Sequence, residues 1–181
     1  MTQLARTIIN NRFVNEEEKE VYMFGLTLLM YRLLYCIATI ALAVLLKSEK
    51  EIFVFCLAYA LIRKYAGGYH SATRGGCFIL TMTIYVVLSF ICSLAIPYSV
   101  AAISACVGLV GIVAIGPQGS ANRILEEAEK QHFKNRLIKL AIVFGGCSLV
   151  FGFVGSNLVI VLLYTAFIQL MMQLLSSFEK Y

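Results

Sequence analysis

Six runs of apolar residues, broken only by short polar stretches, constrain this chain more than anything else in it. They cover approximately residues 26–46, 51–64, 78–96, 99–115, 138–154 and 158–175. An α-helix needs about 20 consecutive apolar residues to cross the hydrocarbon core of a bilayer. Backbone in lipid must satisfy its own hydrogen bonds, which a helix does within one segment. The expected fold is therefore all-α: a polytopic membrane protein with about six transmembrane helices. The second run is short for a span and ends in Arg63-Lys64, so it is either tilted or set against a re-entrant segment. Composition points the same way, with 60% hydrophobic and 14% charged residues, where a soluble domain carries about a quarter charged. The sequence reads as one domain over 1–181, with an amphipathic N-terminal segment at 1–25 and a six-span bundle at 26–181.

In the N-terminal segment, Leu4, Ile8, Ile9 and Phe13 recur at roughly helical spacing among Arg6, Asn10 and Arg12. That pattern suits a short helix lying on the membrane surface, and no signal-peptide core with a small-residue cleavage site is expected there. Asn15 ahead of Glu16, Glu17 and Glu18 reads as a helix start, with an Asn cap and three carboxylates in the positive first turn.

The formal net charge of +5 is not a nucleic-acid signal, because no basic cluster has the density or aromatic interleaving such binding needs. Topology explains it instead, since cytoplasmic loops of membrane proteins are rich in Lys and Arg. With the N-terminus inside and six spans, the inside segments hold twelve of the fifteen Lys and Arg, the outside loops hold Lys47 and Lys50, and Arg32 falls within the first run. Both termini and the segment 63–77 are then expected on the cytoplasmic side. All ten acidic residues are Glu, which excludes any mechanism that requires an aspartate. Cys36, Cys56, Cys92, Cys106 and Cys147 lie within apolar runs, where cysteine behaves as a small hydrophobe. No CxxC pair marks a redox or zinc motif.

The chemistry concentrates in Arg63-Lys64-Tyr65-Ala66-Gly67-Gly68-Tyr69-His70-Ser71-Ala72-Thr73-Arg74-Gly75-Gly76-Cys77. A cysteine reacts as its thiolate, which is favoured at a helix N-terminus, near cations or beside a histidine. Cys77 opens the third apolar run, three residues after Arg74 and seven after His70. On one straight helix that last spacing puts the two about 10 Å apart, whereas proton transfer needs about 3 Å. Gly75-Gly76 is expected to break the helix, so that a loop or a partly unwound, re-entrant segment folds His70 back onto Cys77. Gly67-Gly68 gives the same freedom on the other side. Free N–H groups in such backbone, those of Gly75 and Gly76 among them, can hold an oxyanion. The same residues also fit an ordinary Gly-rich basic loop in which His70 and Cys77 meet by accident. Zinc lacks a fourth ligand beyond His70, His132 and Cys77, and no metal or other cofactor is expected.

At these residues the chain resembles the accessory gene regulator B (AgrB) membrane peptidases of Gram-positive quorum sensing. The match is carried by Ala66-Gly67-Gly68-Tyr69-His70 with Cys77 seven residues on, and it extends over nearly the whole chain. A second, weaker match is Gly116-Pro117-Gln118 with Asn122-Arg123 and Glu126, Glu127 and Glu129; Gly116 and Ile124 depart from the family's usual Ala and Pro. The resemblance implies a bacterial cell-membrane enzyme that cleaves a small propeptide and helps cyclise it into an autoinducing peptide. It implies Cys77 as nucleophile, His70 as general base, a thioester to Cys77, and a lactone or thiolactone product. It also implies a homodimer, for which the glycines of the fourth and fifth runs (Gly108, Gly111, Gly145, Gly146 and Gly152) offer packing surfaces. A third group to orient His70 is open among Gln118, Asn122, a Glu and a backbone carbonyl.

Other residues carry two readings each. Arg32 within the first run costs about 3 kcal/mol at a helix centre; it either receives a substrate carboxylate or snorkels to the headgroups. Arg63 and Arg74 are further substrate-binding candidates. Lys130, Lys134 and Arg136 meet anionic lipids or attract an acidic substrate tail. His132 among them reads as a surface histidine. The competing function is a non-enzymatic transporter or peptide exporter, or a partner in a membrane complex. Against a solute pathway stands the scarcity of polar residues within the runs, where only Arg32, Gln169 and Gln173 stand out.

Overall fold

The computed structural model describes residues 16–69, 73–94, 96–118 and 126–178. The regular structure among these residues is six α-helices: α1 (Glu16–Leu46), α2 (Glu49–Ala66), α3 (Arg74–Cys92), α4 (Tyr98–Ile115), α5 (Glu127–Val154) and α6 (Leu158–Phe178). The chain divides into two compact units, Met1–Leu45 and Leu46–Tyr181. It is an all-α polytopic membrane protein. Five of the helices are long and apolar enough to cross a bilayer, one fewer than the six runs led us to expect. The exception is α2, with Glu49, Glu51, Arg63 and Lys64 in its end turns. Its 18 residues make about 27 Å of helix.

The first unit is α1. Its 31 residues extend about 46 Å, longer than the hydrocarbon core of about 30 Å. The expected boundary between an amphipathic segment ending at 25 and a span starting at 26 is not a break: one helix runs through it from Glu16. The cause is continuity of composition, because Glu20–Leu46 is apolar enough to span as a single stretch. Apolar side chains on every side of α1, such as Val21, Phe24, Ile37 and Ile40, are exposed. A helix apolar all round suits lipid rather than water. Arg32 is exposed near its middle. Asn15 and the surface helix expected around Leu4–Phe13 lie outside the described residues.

In the second unit α6 is central. It packs on α2, α3, α4 and α5, and more than half of its apolar window is buried. Small residues set how closely the helices approach. Gly108 and Gly111 of α4 face Ala166 and Leu170 of α6, and Gly145 and Gly152 of α5 face Cys106 and Ala102 of α4. These four glycines are therefore used inside the bundle, not left as the dimer surfaces the sequence suggested; Gly146 alone of the five is exposed. An aromatic cluster joins α2, α3 and α6. Phe55 stacks on Tyr59 at 5.3 Å, meets Tyr85 edge-on at 5.9 Å and touches Tyr164 at 5.6 Å. Tyr164 Oη donates to Ile84 O (3.0 Å), and the Ser48 and Ser89 hydroxyls lie 2.7 Å apart.

The tightest of these approaches is at Gly152, where an added Cβ would lie 2.7 Å from Ala102 Cβ and 3.2 Å from Tyr98 O. Gly152→Leu should push α4 and α5 apart and cost about 1–3 kcal/mol, read as a lower unfolding midpoint in detergent. Gly146→Leu, where nothing lies within 4 Å, should leave the midpoint unchanged.

Candidate functional site

The polar residues gather at one end of the second unit, where α2 and α4 finish, α3 and α5 begin, and the last turns of α6 pass. Helix α2 stops at Ala66 because two glycines follow with left-handed backbone, Gly67 at φ 68° and Gly68 at φ 129°. Gly67 N donates to Arg63 O at 2.9 Å and closes the last turn. A methyl group on Gly67 would collide with the Gln118 carbonyl oxygen, while one on Gly68 would only crowd Met172, at 3.3 Å.

Several of the backbone groups released by this stop are taken up by neighbours. Ala66 O accepts from Gln118 N at 2.9 Å and from Gln173 Nε2 at 3.5 Å. Gly67 O accepts from Gln169 Nε2 at 2.8 Å. Tyr69 N donates to Met172 O at 2.9 Å. Tyr69 O accepts from Arg63 Nη2 at 2.6 Å. Gln173 Nε2 also reaches Gly116 O (3.0 Å) and Ile112 O (3.4 Å), which fixes the end of α4 to the same point. Both glutamines are completely buried. The other arm of the Arg63 guanidinium, Nη1, donates to Tyr59 Oη, with the cation 5.4 Å from the centre of that ring.

Cys77 lies in the first turn of α3 and is partly exposed. Thr73 caps this helix, its hydroxyl accepting from Gly76 N and its carbonyl from Cys77 N, both at 3.1 Å. Thr81 Oγ1 donates to Cys77 O at 2.8 Å. The expectation that Gly75-Gly76 breaks the helix is therefore corrected: both are within α3, which starts at Arg74. The Thr73 cap supplies acceptors for N–H groups that a first turn leaves unpaired, so glycine there costs little. The interruption comes earlier, at Gly67-Gly68. No described helix runs from residue 70 to 77. Gly76 N–H is engaged by the cap, while Gly75 N–H belongs to the donors that a first turn leaves without a helical partner. His70 itself, with Ser71 and Ala72, lies outside the described residues, as do Asn122 and Arg123. Arg63 thus links Tyr59 of α2 to the backbone immediately before His70.

Of the other residues singled out from the sequence, Gln118 is brought to this end through its backbone contacts with Ala66 and Gly67. Lys130 and Lys134 are exposed on the first turns of α5. They flank Phe133, which meets Tyr65 edge-on at 5.8 Å, so the basic start of α5 adjoins the basic end of α2. Lys130 pairs with Glu127 at 3.5 Å. His132 is exposed. Arg74 begins α3, and Arg32 belongs to the first unit. Sequence reasoning missed Tyr59 as a partner of Arg63. It noticed Gln169 and Gln173 only as polar exceptions within a span. Their i, i+4 spacing, which puts both amides on one helix face, was the available signal for a shared task.

Such a fold and site define a multi-pass membrane protein with one polar cluster where its helices meet at a common end. The chain belongs to the accessory gene regulator B (AgrB) family, whose model matches residues 1–176. Over 131 residues it is 27% identical to protein FsrB of Enterococcus faecalis, covering 71% of this chain and 53% of that protein. Over 88 residues it is 25% identical to AgrB-like protein 2 of Clostridium perfringens, covering 49% of this chain and 41% of the relative. The matched part thus spans about half the length of these relatives. No solved structure matches the chain.

The Gly67 geometry makes a direct prediction. Gly67→Ala must displace the Gln118 carbonyl or the α2 terminus, and strain of this kind costs about 1–3 kcal/mol. Limited proteolysis of the purified protein should show faster cleavage around residues 63–74 in Gly67→Ala, whereas Gly75→Ala, with nothing within 4 Å of its added Cβ, should retain the wild-type pattern.

Proposed function

We propose that this protein is a membrane cysteine endopeptidase of quorum sensing that cuts a small propeptide at the C-terminal edge of its pheromone segment. The observation that carries the reading is that two fixed pieces flank His70 closely along the chain. Cys77 is held in the capped first turn of α3, and the strapped backbone Ala66–Tyr69 leads directly into His70. Three residues, 70 to 72, separate Tyr69 from the Thr73 cap. Family membership supports a role in peptide processing.

In this mechanism His70 accepts the Cys77 thiol proton and the sulfur attacks the scissile carbonyl carbon. Gly75 N–H is the candidate donor to the oxyanion that forms. The C–N bond then breaks, His70 returns its proton to the leaving amine, and the C-terminal tail departs with a new amino terminus. The pheromone segment remains as a thioester on Cys77. A Cys or Ser side chain of the same peptide attacks that thioester, closes a thiolactone or lactone ring and releases the Cys77 thiol. Water would divert the thioester to a linear acid, so a site sheltered among membrane helices favours cyclisation.

The site faces the cytoplasm in this reading, with both termini on the same side. Support comes from the twelve-to-two division of Lys and Arg between inside and outside segments. That division needs α2 to cross the membrane as well, which its charged ends and apolar centre allow. Arg63, Arg74, Lys130 and Lys134 offer cationic contacts to an acidic substrate tail and to anionic lipid, Arg32 is a further candidate for a substrate carboxylate, and the enzyme acts as a homodimer.

Co-expression with a short peptide that has an amphipathic start, a central Cys or Ser and an acidic tail tests the reading. Wild-type protein should release the tail and form an adduct sensitive to hydroxylamine. Cys77→Ser should give no adduct, and His70→Ala should lower cleavage by about 10²–10⁴-fold. Persistent cleavage in both variants would overturn the assignment. Reversing charge together at Lys130, Lys134 and Arg136 should slow processing while membrane insertion stays normal; undiminished processing would remove these residues from substrate binding.

A further inference from the structure

We infer that Gln169 and Gln173 are positioning residues of the processing site, their amides holding the backbone of the α2 exit that leads to His70. The inference rests on the Cys77–His70 reading above and adds to it a part played by α6. Two carboxamides in the middle of an apolar helix are costly to place in a membrane. Here both are completely buried, and both spend their N–H groups on backbone carbonyls at one place. Gln169 holds Gly67 O at 2.8 Å. Gln173 spreads over Gly116 O, Ala66 O and Ile112 O at 3.0, 3.5 and 3.4 Å.

These contacts differ from ordinary helix packing in what they grip. Packing fixes one side chain against another and leaves a following loop free. The Gln169–Gln173 face instead holds main-chain atoms of the loop, and Met172 O between them takes Tyr69 N at 2.9 Å. Three of the four residues 66–69 of the α2 exit, Ala66, Gly67 and Tyr69, therefore bond to one stretch of α6. Gly67 and Gly68 have left-handed backbone and bring little stiffness of their own. Without the amides Gly67 O loses its side-chain donor, and the exit is left with the main-chain bonds of Ala66 and Tyr69 and with Arg63. The amide oxygens fit this division of labour. Among the described residues neither Gln169 Oε1 nor Gln173 Oε1 has a partner. An unpaired buried acceptor is tolerated only where something else repays it, and the donor half of each amide supplies that repayment through the loop.

The test uses full-length protein in membranes, with Gln169→Leu and Gln173→Leu and the length-preserving Gln169→Met. All three replace a polar group by an apolar one within a span, a change that favours insertion. Two readouts are taken: cleavage kinetics with the co-expressed peptide or a purified version of it, and the rate at which iodoacetamide alkylates Cys77, followed by peptide-level mass spectrometry. A misplacement of about 1 Å can cost about 100-fold in rate, so kcat should fall by up to that factor with KM nearly unchanged. Alkylation of Cys77 should slow to the level of His70→Ala. Wild-type kcat and alkylation in the Leu variants would overturn the proposal. So would a loss confined to KM, or disappearance of all three variants from the membrane, since either makes the glutamines something other than positioning residues. Cys77→Ser and His70→Ala serve as the separate control. If these still cleave, the processing site is misassigned; if they are inactive while the glutamine variants are normal, only the role of α6 fails.

Discussion

A helix that stops inside a membrane protein leaves backbone carbonyls that neither lipid nor bulk water can satisfy. At the end of α2 that problem is met by donors from Gln118, Gln169 and Gln173, and the polar end of the molecule is built around the solution. An unsatisfied buried acceptor costs about 1–3 kcal/mol, so loss of any one of these donors is expensive while the α2 exit stays where it is. The same bonds couple α2, α4 and α6 at one place, because Gln173 reaches Ala66 O, Ile112 O and Gly116 O together. The site and the bundle thus share their supports.

The cysteine is held by different means. Its helix is capped by Thr73 and packs more lightly on α2 and α6. Cys77 therefore stands on a regular helix terminus while the backbone that leads to His70 is irregular and strapped. Arg63 braces the irregular half. Its guanidinium has a planar fork that can serve two acceptors at once, and it uses one arm on Tyr59 and the other on Tyr69 O. A lysine has one ammonium centre and could not span both.

Much of this was legible in the residues. The apolar runs place every helix: the run at 99–115 appears as Tyr98–Ile115 and the run at 158–175 as Leu158–Phe178. Boundaries failed where a helix continues through polar sequence. Helix α5 starts at Glu127, eleven residues before its apolar run, because a helix need not be apolar once it leaves the bilayer. The Gly75-Gly76 pair misled for a related reason. Glycine permits a break but does not impose one, and the neighbouring Thr73 cap, which is a local signal, decides for a helix start. Gly67-Gly68 does break the chain, since the Gln118 carbonyl and Met172 crowd the positions a Cβ would occupy, and that crowding comes from residues about 50 and 105 positions away.

Sequence by itself determined that this chain lives in a membrane, that it is helical, and that its reactive groups concentrate between residues 63 and 77. These follow from composition, from the length a bilayer demands and from the spacing of a few residue types, all of which are local quantities. Tertiary structure decided which of two glycine pairs ends a helix, that Arg63 bridges Tyr59 and Tyr69 O, and that two glutamines more than a hundred residues later hold the end of α2 ahead of His70. The physical reason is that an amide 102 positions away along the chain leaves no trace near the carbonyl it satisfies. Only the packing of α6 against α2 brings the donor to the acceptor, and with it the order that the segment from 63 to 77 needs.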